Sequence, residues 1–214
     1  DAGDDGPALD ARLSDSVGIA FDGDGALYIS DTSSHRVRRV RVDGVIETVL
    51  GVGTRGLGPP GFGPEVAIHN PERVVWDGAR ARLLIADAGN HRVLALALPS
   101  LAVTVVAGTG ERGFAGDGGA AVDALLDQPT GIAVTPDGVV FIADLMNDLL
   151  RRVDRDGVIS TVAGTGDPTE PLVLAAPPAT MPLRRPAGLH RTDDGALLIA
   201  ERGGHRVLRW EGAE

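Results

Sequence analysis

The chain has 214 residues and a net charge of −10, and 43% of its residues are hydrophobic while only 3% are aromatic. An acidic surface repels phosphate backbones, so the charge argues against nucleic-acid binding. No apolar run reaches the roughly 18 residues that a membrane-spanning helix needs, and the absence of cysteine excludes disulfides, thiolate nucleophiles and cysteine metal sites.

The chain repeats itself after 113 residues, beginning with its first segment. Residues 2–13, AGDDGPALDARL, match residues 115–126, AGDGGAAVDALL, and the apolar and turn segments that follow match at the same shift. Intermediate copies begin at Arg73 and Gly188, so this distance spans two units of 55 to 58 residues. A period of this size is typical of solenoids, propellers and other repeat architectures.

One unit contains four predicted strands, which are clearest in the third copy. They cover residues 131–134, 139–144, 149–154 and 158–164, and the first turn is the tight Asp-Gly type. A small four-stranded antiparallel sheet cannot cover both of its faces, so neighbouring units must stack on it. We therefore predict an all-β fold, a β-propeller with four-stranded antiparallel blades.

We expect a single propeller domain, or a propeller segment, over residues 1–214. Residues 1–16 are predicted to be the tail of a preceding inter-blade loop, because the matching residues 115–126 lie in such a loop. No fourth strand is predicted for the last blade. The chain is then a segment of a longer propeller, a ring completed by self-association, or a closed ring with one thin blade. The predicted blades cover about 17–70, 71–128, 129–185 and 186–214.

Three segments resemble NHL repeats, in the bacterial form with a long Gly-Asp-Gly connection. They are GIAVTPDGVVFIAD (131–144), HRVRRV (35–40) and DGVISTVAGTG (156–166). The resemblance implies a propeller and favours a secreted or extracytoplasmic location. The NHL family includes binding modules, sensor domains and some lyases. Such lyases are expected to use metal-binding residues that converge on the central channel, and those residues cannot be matched one by one in this chain.

A polar turn with the pattern Asp-x-x-x-His first appears in ISDTSSHRVRRV (29–40) and recurs in each unit. A catalytic or metal-binding pair is needed once, and equivalent turns of different blades lie too far apart to share an ion, so we interpret the pattern as structural. We expect the Asp to accept hydrogen bonds from turn amides and the His to donate to a neighbouring strand. In the third unit Asp148 replaces the His, which marks either drift or a specialised patch. The predicted structural residues are Asp31, His35, Asp87, His91, Asp144, Glu201 and His205.

Long glycine-rich inter-blade loops, residues 51–70, 108–128 and 164–185, are predicted to gather on one rim. Ligand-binding residues favour such loops on a rigid scaffold, although the loops could simply bridge blades. The candidate ligand-binding residues in these loops are Arg55, Phe62, His69, Arg112, Phe114, Asp117, Arg184 and Arg185.

The innermost strand of the fourth unit carries two polar residues, His190 and Arg191, where the other units are mainly apolar. Arg191 joins the ligand-binding candidates, and His190 is the one catalytic candidate, unless it is a hydrogen-bonded or edge residue. The favoured function is a non-enzymatic scaffold that binds a protein, peptide or glycan, with no cofactor. The alternative is a metal-dependent lyase or lactonase-type enzyme with a site, and possibly a metal, in the channel.

Overall fold

A computed structural model describes residues 3–167, 169–170 and 180–211 of the chain. These residues form four antiparallel sheets joined by short turns and longer loops, which confirms the predicted all-β fold with propeller blades. Within the described part of the chain, no helix is long and apolar enough to cross a membrane.

The strands follow the chain in four consecutive groups. Sheet 1 has β1 (Gly6–Pro7), β2 (Ser16–Phe21), β3 (Leu27–Asp31), β4 (Arg36–Val40) and β5 (Val45–Leu50), and sheet 2 has β6 (Pro71–Asp77), β7 (Arg82–Asp87), β8 (Arg92–Ala97) and β9 (Val103–Ala107). Sheet 3 has β10 (Pro129–Val134), β11 (Val140–Asp144), β12 (Leu149–Val153) and β13 (Ile159–Ala163), and sheet 4 has β14 (Pro186–Arg191), β15 (Leu197–Glu201) and β16 (Arg206–Trp210). Single 3-10 turns lie at Ala8–Asp10, Gly63–Glu65, Gly78–Arg80, Ala88–Asn90, Ala121–Asp123 and Leu145–Asn147.

The turn between β2 and β3 of sheet 1 follows the Asp-Gly prediction. Gly25 has a φ of +90°, which L side chains rarely adopt. The Asp22 carboxylate accepts the backbone N–H groups of Asp24 and Ala26 at 3.0 and 2.9 Å. The hydrogen bonds of this turn therefore join residues close together in the chain, which is why a local sequence pattern predicts it.

The chain divides into two compact units, residues 1–105 and 106–214. In the first unit, sheets 1 and 2 share a core that includes Tyr28, Val37, Val74 and Leu83. In the second unit, sheets 3 and 4 share a core that includes Phe141, Leu150, Leu189 and Ile199. Each core is built from alternate residues of strands that pair in register, which is the period of two expected for sheet-on-sheet packing.

A short edge strand adds a fifth member to sheet 1, and it was not predicted. In β1, Gly6 lies opposite Ile46 and Pro7 opposite Val45 on the outer strand β5. The backbone N–H of Asp5 donates to the carbonyl of Ile46 at 2.8 Å. The segment 118–121 makes the equivalent contacts with residues 157–159 in sheet 3. The chain that enters a blade therefore first covers the outer edge of that blade.

Candidate functional site

The acidic residue of each polar turn fastens the chain segment that enters the same blade. Its carboxylate accepts a backbone N–H from 17 or 18 residues upstream rather than from the turn itself, which corrects the predicted donor. By accepting this hydrogen bond, the carboxylate at the end of one strand holds the segment that leads into the innermost strand of the same blade. The four bonds are Ser14 to Asp31 at 2.6 Å, His69 to Asp87 at 2.7 Å, Asp127 to Asp144 at 2.7 Å and Arg184 to Glu201 at 2.6 Å.

An arginine pairs with each of these carboxylates, buried in sheets 1 to 3 and 18% exposed in sheet 4, and its position alternates between neighbouring sheets. In sheet 3, Arg151 is 0% exposed and lies between Asp144, at 3.5 Å, and Asp117 of the entering loop, at 2.6 Å. In sheet 2, Arg92 lies nearer the turn and pairs with Asp87 at 2.8 Å. In sheet 1, Arg38 has the same position as Arg151 and pairs with Asp31 and Asp4. In sheet 4, Arg206 has the same position as Arg92 and pairs with Glu201. This alternation has a period of two repeats, like the 113-residue match in the sequence.

Burial changes the acidity of the turn carboxylates. Loss of water raises the pKa of Asp144 to about 6, although the hydrogen bonds from Asn147 and Asp127 oppose the shift. Burial also raises the pKa of Asp87. Both carboxyl groups are engaged by backbone and arginine donors, so the perturbed pKa values belong to the structural network and not to a free acid–base group.

The fourth residue after the acid also serves as an acceptor. Nδ1 of His35 accepts the backbone N–H of Asn70 at 3.2 Å, so the prediction that this His donates is wrong for His35. In sheet 3, Oδ1 of Asp148 accepts the backbone N–H of Arg185 at 2.6 Å. All four residues at this position, His35, His91, Asp148 and His205, adopt the left-handed region with φ between +48° and +56°.

The loop candidates of the first compact unit, residues 1–105, lie along sheet 2. Arg55 is exposed. Phe62 is 48% exposed and forms an isolated antiparallel β-bridge with Ala102. His69 is half-buried, and its Nδ1 lies 3.1 Å from the carbonyl of Gly89. Carbonyls of the same loop accept hydrogen bonds from Asn90 and Arg92. The loop is therefore bound to sheet 2 along much of its length.

The loop candidates of residues 108–128 make structural contacts in sheet 3. Arg112 pairs with Asp127 at 2.8 Å, while its side chain stays 66% exposed. Phe114 has its ring centroid 5.1 Å from the guanidinium of Arg151, a cation–π contact. Asp117 pairs with the same Arg151. Phe114 and Asp117 thus both contact Arg151. Arg112 is the most exposed of these three candidates.

Two predicted candidates, Arg184 and Arg185, line a cavity of about 220 Å³ in the second unit. The other lining residues are Met146, Asp148 and Gly203. The cavity adjoins the polar turn of sheet 3 because the backbone of Arg185 is tied to Asp148. We call this cavity the rim pocket. Its two arginines were predicted from loop position, whereas Met146 and Gly203 were missed because nothing local distinguishes them.

Charge in the rim pocket favours an anionic group. The lining includes two arginines and one carboxylate, Asp148, whose pKa is raised chiefly by burial. Arg184 donates through Nη2 to the carbonyl of Glu170 at 3.2 Å, and its buried Nε has no hydrogen-bond partner among the described residues. Arginines provide planar, paired donors that suit carboxylates, and Met146 adds an apolar contact.

The polar pair on β14 does not form a cluster with other candidate ligands. His190 is exposed and lies opposite Leu198, whereas Arg191 is half-buried and lies opposite Leu197. Among the residues that the structure describes, no group of three or more His, Cys, Asp or Glu side chains is placed to hold a metal ion. His190 therefore has no identified co-ligands there.

Comparison with known proteins places the repeats in a family. The model of the teneurin NHL domain matches residues 1–61 and 75–177, more than half of the chain. Teneurin-m of Drosophila melanogaster is 33% identical over 172 residues, which cover 75% of this chain and 6% of Teneurin-m. The chain thus spans a small part of the length of that relative.

Solved structures share the fold at low identity. A protein of unknown function from Bacteroides thetaiotaomicron has a TM-score of 0.74 at 22% identity and covers 92% of this chain and 47% of its own. A chain of the nidogen/laminin complex has a TM-score of 0.65 at 19% identity, covering 94% and 62%. Streptogramin B lyase has a TM-score of 0.63 at 14% identity, covering 96% and 55%. At these identities the likeness establishes the fold alone.

Proposed function

Because the chain belongs to the NHL-repeat family, whose teneurin NHL domain model matches most of it, we propose that it is a non-enzymatic scaffold that binds a protein or peptide through its inter-blade loops. The observation that carries this proposal is the rim pocket, a cavity of about 220 Å³ that Arg184 and Arg185 help to line. A relative of similar fold occurs in the nidogen/laminin complex, an assembly of proteins.

The chemistry of the rim pocket indicates which ligand group it takes. The whole chain has a net charge of −10, whereas two of the five residues that line the rim pocket are arginines and one is an aspartate. Arginines bind planar carboxylates through paired, charge-assisted hydrogen bonds, and a carboxylate is the anionic group that an unmodified protein or peptide supplies. We therefore propose an acidic segment of a protein or peptide as the ligand, with an apolar side chain contacting Met146. A glycan would need acidic sugars to use the same arginines.

A peptide selection tests the proposal. The purified chain is screened against a random peptide library, and the affinity of each selected peptide is measured by calorimetry with the wild type, with Arg185→Ala and with Arg184→Ala. We expect acidic peptides to be enriched and to bind about tenfold more weakly to Arg185→Ala, because a lost charge-assisted hydrogen bond costs about 1.4 kcal/mol or more.

The matched control is Arg155→Ala, which removes an arginine in the same unit that pairs with Asp137 and does not line the rim pocket. It should leave the affinity unchanged. Selected peptides without acidic residues, or acidic peptides that bind equally well to both pocket variants, would contradict the proposal. No observation on the described residues favours the metal-dependent lyase or lactonase alternative over the scaffold.

A further inference from the structure

Two hydrogen bonds hold the backbone at the rim pocket. The N–H of Arg185 donates to Oδ1 of Asp148 at 2.6 Å. The N–H of Gly203 donates to the carbonyl of Arg184 at 3.0 Å. Both arginines contribute backbone groups to these bonds, so this part of the fold does not require their guanidinium groups.

The same two bonds occur between sheets 1 and 2 with different side chains. The N–H of Asn70 donates to Nδ1 of His35 at 3.2 Å, and the N–H of Gly89 donates to the carbonyl of His69 at 2.9 Å. The positions that hold an aspartate and two arginines at the rim pocket therefore hold two histidines and an asparagine here. Because a neutral imidazole accepts the bond from Asn70, the backbone arrangement does not require a carboxylate.

The carboxylate of Asp148 is buried without a cation. Asp148 is 8% exposed. Of the described residues, only Arg185 donates a hydrogen bond to its carboxylate, and none forms an ion pair with it. Burial raises the pKa of Asp148, the hydrogen bond and the charge of Arg185 oppose this shift, and the charge of Glu201 adds to it. A buried carboxylate in this situation is stabilised by a cationic partner.

The rim pocket thus combines charges of both signs in a small space. A ligand that offers only a carboxylate would bring it into the same cavity as Asp148, and like charges repel. A ligand that also carries an ammonium group would pair with Asp148 and remove this repulsion. The cavity of about 220 Å³ is smaller than the roughly 300–1,000 Å³ of pockets for drug-sized ligands, so both charges must lie on one small group.

Resting on the proposed function, we propose that the rim pocket binds the N-terminal residue of a protein or peptide, and that this residue is acidic. Its α-ammonium group pairs with Asp148, and its side-chain carboxylate pairs with Arg184 or Arg185. An N-terminal aspartate or glutamate carries both charges on one residue, whereas a lysine beside an acidic residue would place two side chains in the cavity. The apolar side chain that contacts Met146 then belongs to the following residue.

Calorimetry with two synthetic peptides tests the role of the ammonium group. One is the pentapeptide Asp-Leu-Ala-Gly-Gly with a free N-terminus, and the other is the same peptide with an acetylated N-terminus; both end in an amide. The measurement is made at about pH 6.5, because an α-amino group with a pKa of about 7.7–8.0 is then protonated. We expect the wild type to bind the free peptide about tenfold more tightly, since acetylation removes the charge that pairs with Asp148.

The variant Asp148→Asn predicts opposite results for the two roles of this residue. Asn keeps an oxygen that accepts the N–H of Arg185, and it tolerates the φ of +56° at this position. We expect the variant to bind the free peptide about tenfold more weakly and the acetylated peptide at least as tightly as the wild type does. If Asp148 only repelled ligands, the variant would bind both peptides more tightly. The matched control is Asp156→Asn, which removes an exposed carboxylate in the turn before β13 and should leave both affinities unchanged.

Circular dichroism melts check that the variants fold, and Asp148→His, which introduces the residue found at position 35, replaces Asp148→Asn if that variant does not. The proposal is overturned if the wild type binds neither peptide, if acetylation leaves its affinity unchanged, or if Asp148→Asn binds the free peptide more tightly. The proposed function survives these results as long as acidic peptides from the library lose affinity in Arg185→Ala. It fails together with the present proposal if no acidic peptide depends on Arg185.

Discussion

At the scale of single residues, the position four residues after each turn acid needs an acceptor in a left-handed conformation. His35 provides Nδ1 and Asp148 provides a carboxylate oxygen, and each receives the amide at the start of the next inner strand. The replacement of His by Asp in the third repeat therefore preserves the contact. Asp also tolerates positive φ better than most residues, since its short polar side chain bonds locally.

The first prediction tests whether position 35 needs only a hydrogen-bond acceptor or specifically an imidazole ring. His35→Ala should lower the unfolding free energy by about 1–2 kcal/mol, because it removes an acceptor and places Ala at positive φ. His35→Asp should cost about half as much or less, since it reproduces the arrangement of Asp148. Urea unfolding of the two variants and the wild type measures the difference.

The pH dependence gives a check on the same contact. Burial lowers the pKa of His35, so the folded state favours the neutral ring, which alone can accept at Nδ1. The stabilisation is complete above about pH 6.5 and is lost as the pH falls through the lowered pKa. The gap between the wild type and His35→Ala should thus be wider at pH 8 than at pH 5. An Asp variant as unstable as the Ala variant, or a gap that widens in acid, would count against this role.

At the scale of elements, the inter-blade connection acts as a brace for the blade that it enters. In sheet 3, Asp117 holds Arg151 through Oδ1 at 2.6 Å and accepts the backbone N–H of Thr161 through Oδ2 at 3.0 Å. The backbone groups of Gly118 and Gly119 pair with Ile159 on the outer strand. This pairing covers a strand edge that would otherwise be open to other chains.

The second prediction concerns this brace. Asp117→Ala should increase amide exchange at Gly118 and Ile159 about tenfold, because the side chain that ties the segment to sheet 3 is lost and local opening becomes easier by about 1.4 kcal/mol. The control is Asp123→Ala, which removes an exposed carboxylate from the same segment. Unchanged protection at Ile159 in the Asp117 variant would show that the backbone pairing suffices without it.

At the scale of the whole molecule, the net charge of −10 opposes the approach of an acidic ligand. Repulsion between like charges extends over roughly one Debye length and is screened by salt. The two arginines of the rim pocket must therefore attract such a ligand locally, against the charge of the chain as a whole.

The third prediction follows from this balance. Raising sodium chloride from about 20 to about 200 mM shortens the Debye length from about 20 Å to below 10 Å, and it should narrow the difference in peptide affinity between the wild type and Arg185→Ala, because the charge of Arg185 is screened. Calorimetry with one selected acidic peptide at both salt concentrations measures the difference. A difference that salt leaves unchanged would mean that Arg185 contributes by packing and not by its charge.

The sequence by itself determined the strands, the tight turns and the repeat, because each depends on residues close together in the chain. Alternation of apolar residues and Asp-Gly turns act over a few positions, and the match between residues 2–13 and 115–126 needs no structure. The propeller fold followed from these local signals and the NHL family from the resemblance of three segments, and both were confirmed. Loop position was also enough to single out Arg184 and Arg185.

Only the tertiary structure decided which partner each polar group takes and which faces are covered. The donor to Asp31 is 17 residues away, and the oxygen atoms of Asp117 meet groups 34 and 44 residues away. Such pairings depend on strand register and on the path of a long loop, which no local pattern specifies. The same holds for Val74, which is buried because sheet 2 shares its core with Tyr28 and Val37 of sheet 1, residues that are distant in the sequence.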